Sequence, residues 1–309
     1  MTTQAILDQM LLVVLNISFW NGRKALSSSD LAASGIDVDK LPQGALDALE
    51  NKMMIPSDTV KTFSSLKREA IALCLNNGVR FGWEGYALPR EMGSELLQEL
   101  KRLKDRFESA RANFLSVYEQ DIQKWIVSHP PELVPTVRKL VQSASYLHEA
   151  ICFNYAAFDA KTPAGIGGNG IDQEVNGLYG QLCQDVRATA SRTFEYYFVG
   201  RQEITRKTLR PLKAIRTKLS GMLFLDPSIA ETVRVIDDTL KQLPKYGAIK
   251  GAELNMVAGL LERVLANMGR TVPPVQDVVN NEQAPDVIVP PETVVAENTG
   301  KVAPIAWDF

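Results

Sequence analysis

Histidine is nearly absent from this 309-residue chain: His129 and His148 are the only two. No H-x-x-x-H pair and no Cys-His cluster can be built from them, so no zinc site is expected. His129 lies at a helix end before two prolines, where a cation is modestly favourable, and His148 stands between Leu147 and Glu149. Cysteine is equally sparse. Cys74, Cys152 and Cys183 are far apart, odd in number and each set in an apolar pattern. That excludes a disulfide framework and a metal cluster and points to buried thiols in a reducing, cytoplasmic setting. No run approaches about 18 apolar residues, so no membrane-spanning helix is expected. The first residues include Asp8 and no basic cluster, and the apolar run 10–15 is short, so no signal peptide is expected. Net charge is only −2, so any polyanion binding must come from a local patch. No serine sits in a G-x-S-x-G setting. No catalytic residue, cofactor or enzyme activity is expected.

What the chain does have is a long helical seam. Leu96, Leu100, Leu103, Phe107, Ala110, Phe114 and Val117 recur in a 4-3-4-3-4-3 spacing. Nothing interrupts the helix from Arg90, after Pro89, to Ser128, before His129 and two prolines. At 1.5 Å per residue that is about 57 Å. The seam residues Leu96, Leu100, Leu103, Phe107 and Phe114 are expected to be buried against helices over 132–158 and 171–200. The fold class is therefore mainly α: a long-helix bundle or coiled hairpin, with a small two-stranded N-terminal α/β element and a disordered C-terminal tail.

Around the seam the chain divides into four stretches. Residues 1–90 form the α/β part. Residues 11–20 alternate as a strand through Val13, Leu15, Ile17 and Phe19. Short helices are expected near 27–33 and 43–50, then a better one capped by Ser57 or Asp58. That one turns Phe63, Leu66, Ala70 and Leu73 inward and is closed by Gly78. A second strand over 78–89, broken near Gly82 and Gly85, is expected to pair with 11–20. Residues 91–226 are the long-helix bundle. They include a helix over 132–158, a loop at 159–170 and a helix carrying Ile171, Val175, Leu178 and Leu182, then Val186, Ala190 and Phe194. Pro211 should kink or restart the helix it sits in. Residues 227–269 supply two further helices, one opened by Asp226-Pro227-Ser228 and one after Gly251. Residues 270–309, with six prolines and six acids against two basic residues, read as a tail.

Three stretches carry candidate chemistry. The run 165–170 matches G-x-G-x-x-G, but a dinucleotide site needs a strand before it. A helix precedes it here, so a hairpin tip is the better reading. From Arg201 to Lys218 there are seven basic residues against the one acid Glu203. Arg206, Lys207, Arg210, Lys213 and Arg216 are candidates for binding an anion or nucleic acid, opposite an apolar face of Leu212, Ile215, Leu219 and Met222. A solvated face is the plain alternative. The aromatic run 194–198 just upstream could stack bases, though core packing suits it better. The tip of the tail, Trp307, Asp308 and Phe309, is a candidate docking peptide, since aromatics are depleted in segments that bind nothing.

The strings ISFWNGRKALSSSDLA, GVRFGWEGYALP and TRKTLRPLKAIRTKLSGMLFLDP, in that order, resemble a bacterial family, domain of unknown function 3150, over most of residues 6–268. The resemblance implies a life on mobile genetic elements and phages, beside a MoxR-like ring ATPase (an AAA ATPase) and a von Willebrand factor A protein. It supplies no catalytic residues. The expected function is a non-enzymatic, self-associating helical adaptor or scaffold of such a system. A nucleic-acid-binding accessory factor using helix 201–218 is the alternative. A membrane-active helical effector is a third reading, weakened by the lack of an apolar span.

Overall fold

The computed structural model describes residues 2–22, 57–128, 131, 134–135, 138, 141–162 and 169–269. The short helices expected near 27–33 and 43–50, His129, the glycine run at 163–168 and the tail with Trp307, Asp308 and Phe309 lie outside the described residues. The chain separates into two units, Met1–Val272 and Pro273–Phe309. All the elements belong to the first.

The chain begins with α1 (Thr3–Leu7) and β1 (Met10–Ser18). The helix α2 (Ser57–Asn77) leads into a hairpin of β2 (Val79–Phe81) and β3 (Gly85–Pro89). A single 3-10 turn, Arg90–Met92, then opens α3 (Gly93–Val127). The sheet order is β2-β3-β1-β4, all antiparallel. The expected pairing of 11–20 with 78–89 is present, with Leu11 opposite Leu88 and Val13 opposite Tyr86. The sheet is four-stranded rather than two-stranded, because β2 folds back on β3 and a later strand takes the other edge of β1.

That later strand corrects the helix expected over 132–158. Ser143 caps a new, short helix, α4 (Ala144–Ala150), by accepting from the Tyr146 amide. Ile151 is already extended, and Cys152–Phe158 form β4. Phe153 and Tyr155 suit a pleated surface as well as a helix face. The open edge of β1 decides between them, since seven residues of β1 find partners along β4. Tertiary pairing overrides the helical spacing.

β1 is buried on both faces, and each face feeds a different core. Val13 and Ile17 join Tyr86, Leu88 and Phe153 against α2 and α3. Met10 and Leu12 join Val79 and Ala87 against the helices that follow β4. Those are α5 (Asn169–Tyr197), α6 (Arg210–Gly221), α7 (Ser228–Gln242) and α8 (Ala252–Gly269). The restart expected at Pro211 is seen: it sits in the first turn of α6, after a 3-10 turn at Arg206–Leu209. Proline is well accommodated there, because its missing N–H would have no partner in any case.

The α3 seam is buried at Leu96, Leu100, Leu103, Phe107 and Phe114, as expected. Its partners differ in part. Of the two expected stretches, 132–158 is there, as α4 and β4 beside α2, whereas 171–200 belongs to the other core. Beyond Phe114 the seam moves to Tyr118, Ile122 and Ile126, while Val117 is 44% exposed. A 4-4 spacing in place of 3-4 drifts round the helix and does not hold a coiled-coil seam. No long coiled hairpin is seen among the described residues. On α2 the buried stripe is Phe63, Leu66, Ala70 and Cys74, the last replacing Leu73.

Candidate anion and partner interface

The cations of 201–218 divide by what surrounds them. α6 buries Leu212, Ile215 and Leu219. Three of the basic side chains are used inside the fold. The Arg206 guanidinium donates to the backbone oxygen of Pro244. Arg216 donates from Nε and Nη2 to the two carboxylate oxygens of Asp237 on α7, both at 2.8 Å. That bidentate pair holds the Asp237 carboxyl below the ordinary carboxylate range and raises Arg216.

Lys218 is the third and is only 8% exposed. Its ammonium donates to the Leu75 carbonyl and to Asp185 Oδ2, each at 2.8 Å. Leu75 lies in the last turn of α2, where carbonyls lack intrahelical partners and a cation is favoured. The ammonium also borders a cavity of about 270 Å³ whose wall includes Asn76, Thr189 and Arg192.

Lys207, Arg210 and Lys213 remain exposed, as does Arg201, with no ion-pair partner among the described residues. So the stripe read from spacing is narrower than it looked. Arg206 and Arg216 brace the bundle, and Lys207, Arg210 and Lys213 face water. The aromatic run also divides. Phe194 and Phe198 stack in parallel at 6.4 Å, with Phe198 buried, while Tyr196 and Tyr197 are turned out.

Sequence reasoning missed Trp83. It falls within the strand expected over 78–89, yet it is 95% exposed at the tip of the β2–β3 hairpin. Gly82 adopts φ +60°, a left-handed turn geometry that favours glycine. Its N–H donates to Glu174 Oε2 on α5 at 3.0 Å, which fastens the tip. Phe81 and Gly85 close the hairpin opposite each other. The signal was available: glycines on both sides of Trp-Glu mark a tight turn. Beside the tip is a cleft of about 250 Å³ lined by Leu15, Ile17, Lys67, Arg80 and Tyr86 among others.

The thiols behave as the apolar pattern suggested in two cases of three. Cys74 and Cys183 are buried, and burial pushes the Cys74 thiol up to about 12. Cys152 is half-buried, its sulfur 3.2 Å from the Ser18 hydroxyl. His148 is exposed on α4. Among the described residues no cluster of histidine, cysteine and carboxylates could hold a metal ion, and no helix is long and apolar enough to cross a membrane.

A family model described as "Protein of unknown function (DUF3150)" matches residues 7–266. No curated protein and no solved structure matches the chain.

Proposed function

Because the chain belongs to the DUF3150 family, we propose that it is a non-enzymatic helical adaptor or scaffold in the cytoplasm. In this reading it self-associates and serves a mobile element or phage together with a MoxR-like ring ATPase and a von Willebrand factor A partner. The observation that carries the adaptor role is Trp83. A large aromatic that is 95% exposed contributes nothing to its own core. Tryptophan is among the side chains enriched at interface hot spots. The backbone of the tip that carries it is tied to α5 by the Gly82 N–H, which donates to Glu174. In the tail, the sequence Trp307, Asp308 and Phe309 is a further candidate docking peptide. The identity of the partners rests on the family resemblance.

The test is affinity purification of the full chain from its native host, beside Trp83→Ala and a chain lacking residues 304–309. The ring ATPase and the von Willebrand factor A protein should co-purify with the wild type. Recovery should fall at least tenfold with Trp83→Ala, as for an interface hot spot. Equal recovery with both variants would remove both docking surfaces from consideration.

A second reading, a nucleic-acid-binding accessory factor, is favoured by one observation. Lys207, Arg210 and Lys213 stay in water while their neighbours Arg206, Arg216 and Lys218 are used internally. Free cations of one sign suit a phosphate backbone.

A further inference from the structure

We propose that the end of the α5–α8 bundle, rather than the face of α6, is a binding site for single-stranded nucleic acid. The inference rests on the nucleic-acid reading and moves its site. Two stretches far apart in sequence meet at this end. The chain leaves α5 through a turn at Gly200, with the Arg201 amide donating to the Phe198 carbonyl. It then forms the short strand β5 (Glu203–Ile204), and the chain from α7 returns as β6 (Ile249–Lys250). The two strands pair antiparallel, Ile204 opposite Ile249 and Glu203 opposite Lys250. Arg206 fastens the 3-10 turn to Pro244 in the returning loop. Phe198, Ile204, Leu243 and Ile249 are buried under this cap as part of the bundle core.

The cap is cationic on balance, with Glu203 on it and Glu195 beside Tyr196 as exposed carboxylates. Segments 199–209 and 243–251 contain five cations and a single carboxylate, Glu203. Arg201, Lys207, Lys245 and Lys250 are all exposed. Beside them stands Tyr246, 88% exposed, followed by Gly247 in a left-handed turn at φ +91°. Tyr196, in the last turn of α5, is 72% exposed. Cations alone would suit any polyanion. Exposed tyrosines are what unpaired bases stack on, while cations track the phosphates. Duplex bases are already stacked on each other and cannot use the rings, so the chemistry favours a single strand. Glu203 lies opposite Lys250 and offsets one charge, leaving the cap cationic.

The experiment is fluorescence anisotropy of a labelled 20-nucleotide oligothymidylate with the full chain, repeated across salt concentrations. Wild type should bind at low salt, with log K falling linearly in log salt. Lys245→Glu together with Lys250→Glu should weaken binding at least tenfold and flatten the slope by about 1.4, roughly 0.7 for each lost phosphate contact. Tyr246→Ala should weaken the single strand about tenfold, in line with loss of one stacked base, and leave a duplex of equal length unchanged. Tyr246→Phe should restore the wild-type value. Circular dichroism should be unaltered in all of these, since the side chains changed are exposed.

If only Arg210→Glu with Lys213→Glu weakens binding, the site is the face of α6. The cap assignment is then wrong while the nucleic-acid reading stands. Displacement of the oligonucleotide by polyglutamate as effectively as by unlabelled oligonucleotide would mark an acidic protein surface as the ligand and overturn the proposal. No binding by the wild type at low salt overturns both.

Discussion

Lys218 carries its charge into the junction of α2, α5 and α6, and its surroundings determine what its loss would do. The ammonium is buried, while its partner Asp185 keeps 46% of its side-chain surface in water. Removing the aspartate leaves a buried cation with one counter-group fewer. Removing the lysine leaves a carboxylate that water can still reach. Asp185→Ala should therefore cost about 1.5–3 kcal/mol, the range for hydrogen bonds to charged groups. Lys218→Met, which keeps the volume and drops the charge, should cost less, as hydrophobic replacements of buried ions often do. Denaturant melts of the two variants decide it: the opposite order would mean that the pair is held mainly by the lysine's bond to Leu75. The burial itself was legible. Lys218 follows Ile215 by three residues and precedes Met222 by four, so it falls on the apolar side of the helix. Its partners were not legible, because Leu75 and Asp185 are 143 and 33 residues away.

At the scale of elements, the α3 seam was readable because a helix repeats its burial every three or four residues whatever it packs against. The partner of that seam was not readable, since Phe107 shows the same spacing against a helix or a sheet. In the fold Phe107 packs against Phe63 of α2 at 4.9 Å and Phe153 of β4 at 5.5 Å. It is fully buried, so it links three elements at once. Phe107→Ala should cost about 3–5 kcal/mol, the range for a buried phenylalanine. A chemical-denaturation midpoint close to the wild type would show that this cluster does not bear on stability. β4 was misread for a physical reason that applies to any short aromatic segment. Ile151, Tyr155 and Phe158 fit a helical face, and the strand assignment depends on β1, more than 130 residues earlier, offering its edge. The Trp83 hairpin is the opposite case. Its glycines announced the turn, but only the bond from Gly82 to Glu174 shows that the tip is held in a fixed place.

At the scale of the molecule, β1 and β3 both feed two cores, Ala87 of β3 entering one and Tyr86 and Leu88 the other. Alternate residues of β1 enter each, so neither core can open without disturbing that strand. Thermal unfolding of the body should therefore be a single cooperative transition by calorimetry. Residues 273–309 form a unit of their own, and deleting them should leave the melting temperature within about 2 °C, a shift corresponding to less than roughly 1 kcal/mol at this size. Two resolved transitions would mean that the α2–α3 core and the α5–α8 bundle are energetically independent despite the shared sheet.

Local chemistry by itself determined the positions of α2, α3, α5, α7 and α8 and the restart at Pro211. Each is encoded in spacing and turn residues within a few positions of one another. Only the tertiary structure decided which cations are free. Arg206 and Lys207 are neighbours with the same charge, yet one is bonded to Pro244 and the other faces water. The same holds for the cap, where Lys245, Tyr246 and Lys250 join Arg201 and Lys207 through the β5–β6 pairing. Periodicity reports which side of an element is apolar, because burial is a property of one helix or strand. It does not report what a polar side chain meets, because that is set by the distant segment that folds against it.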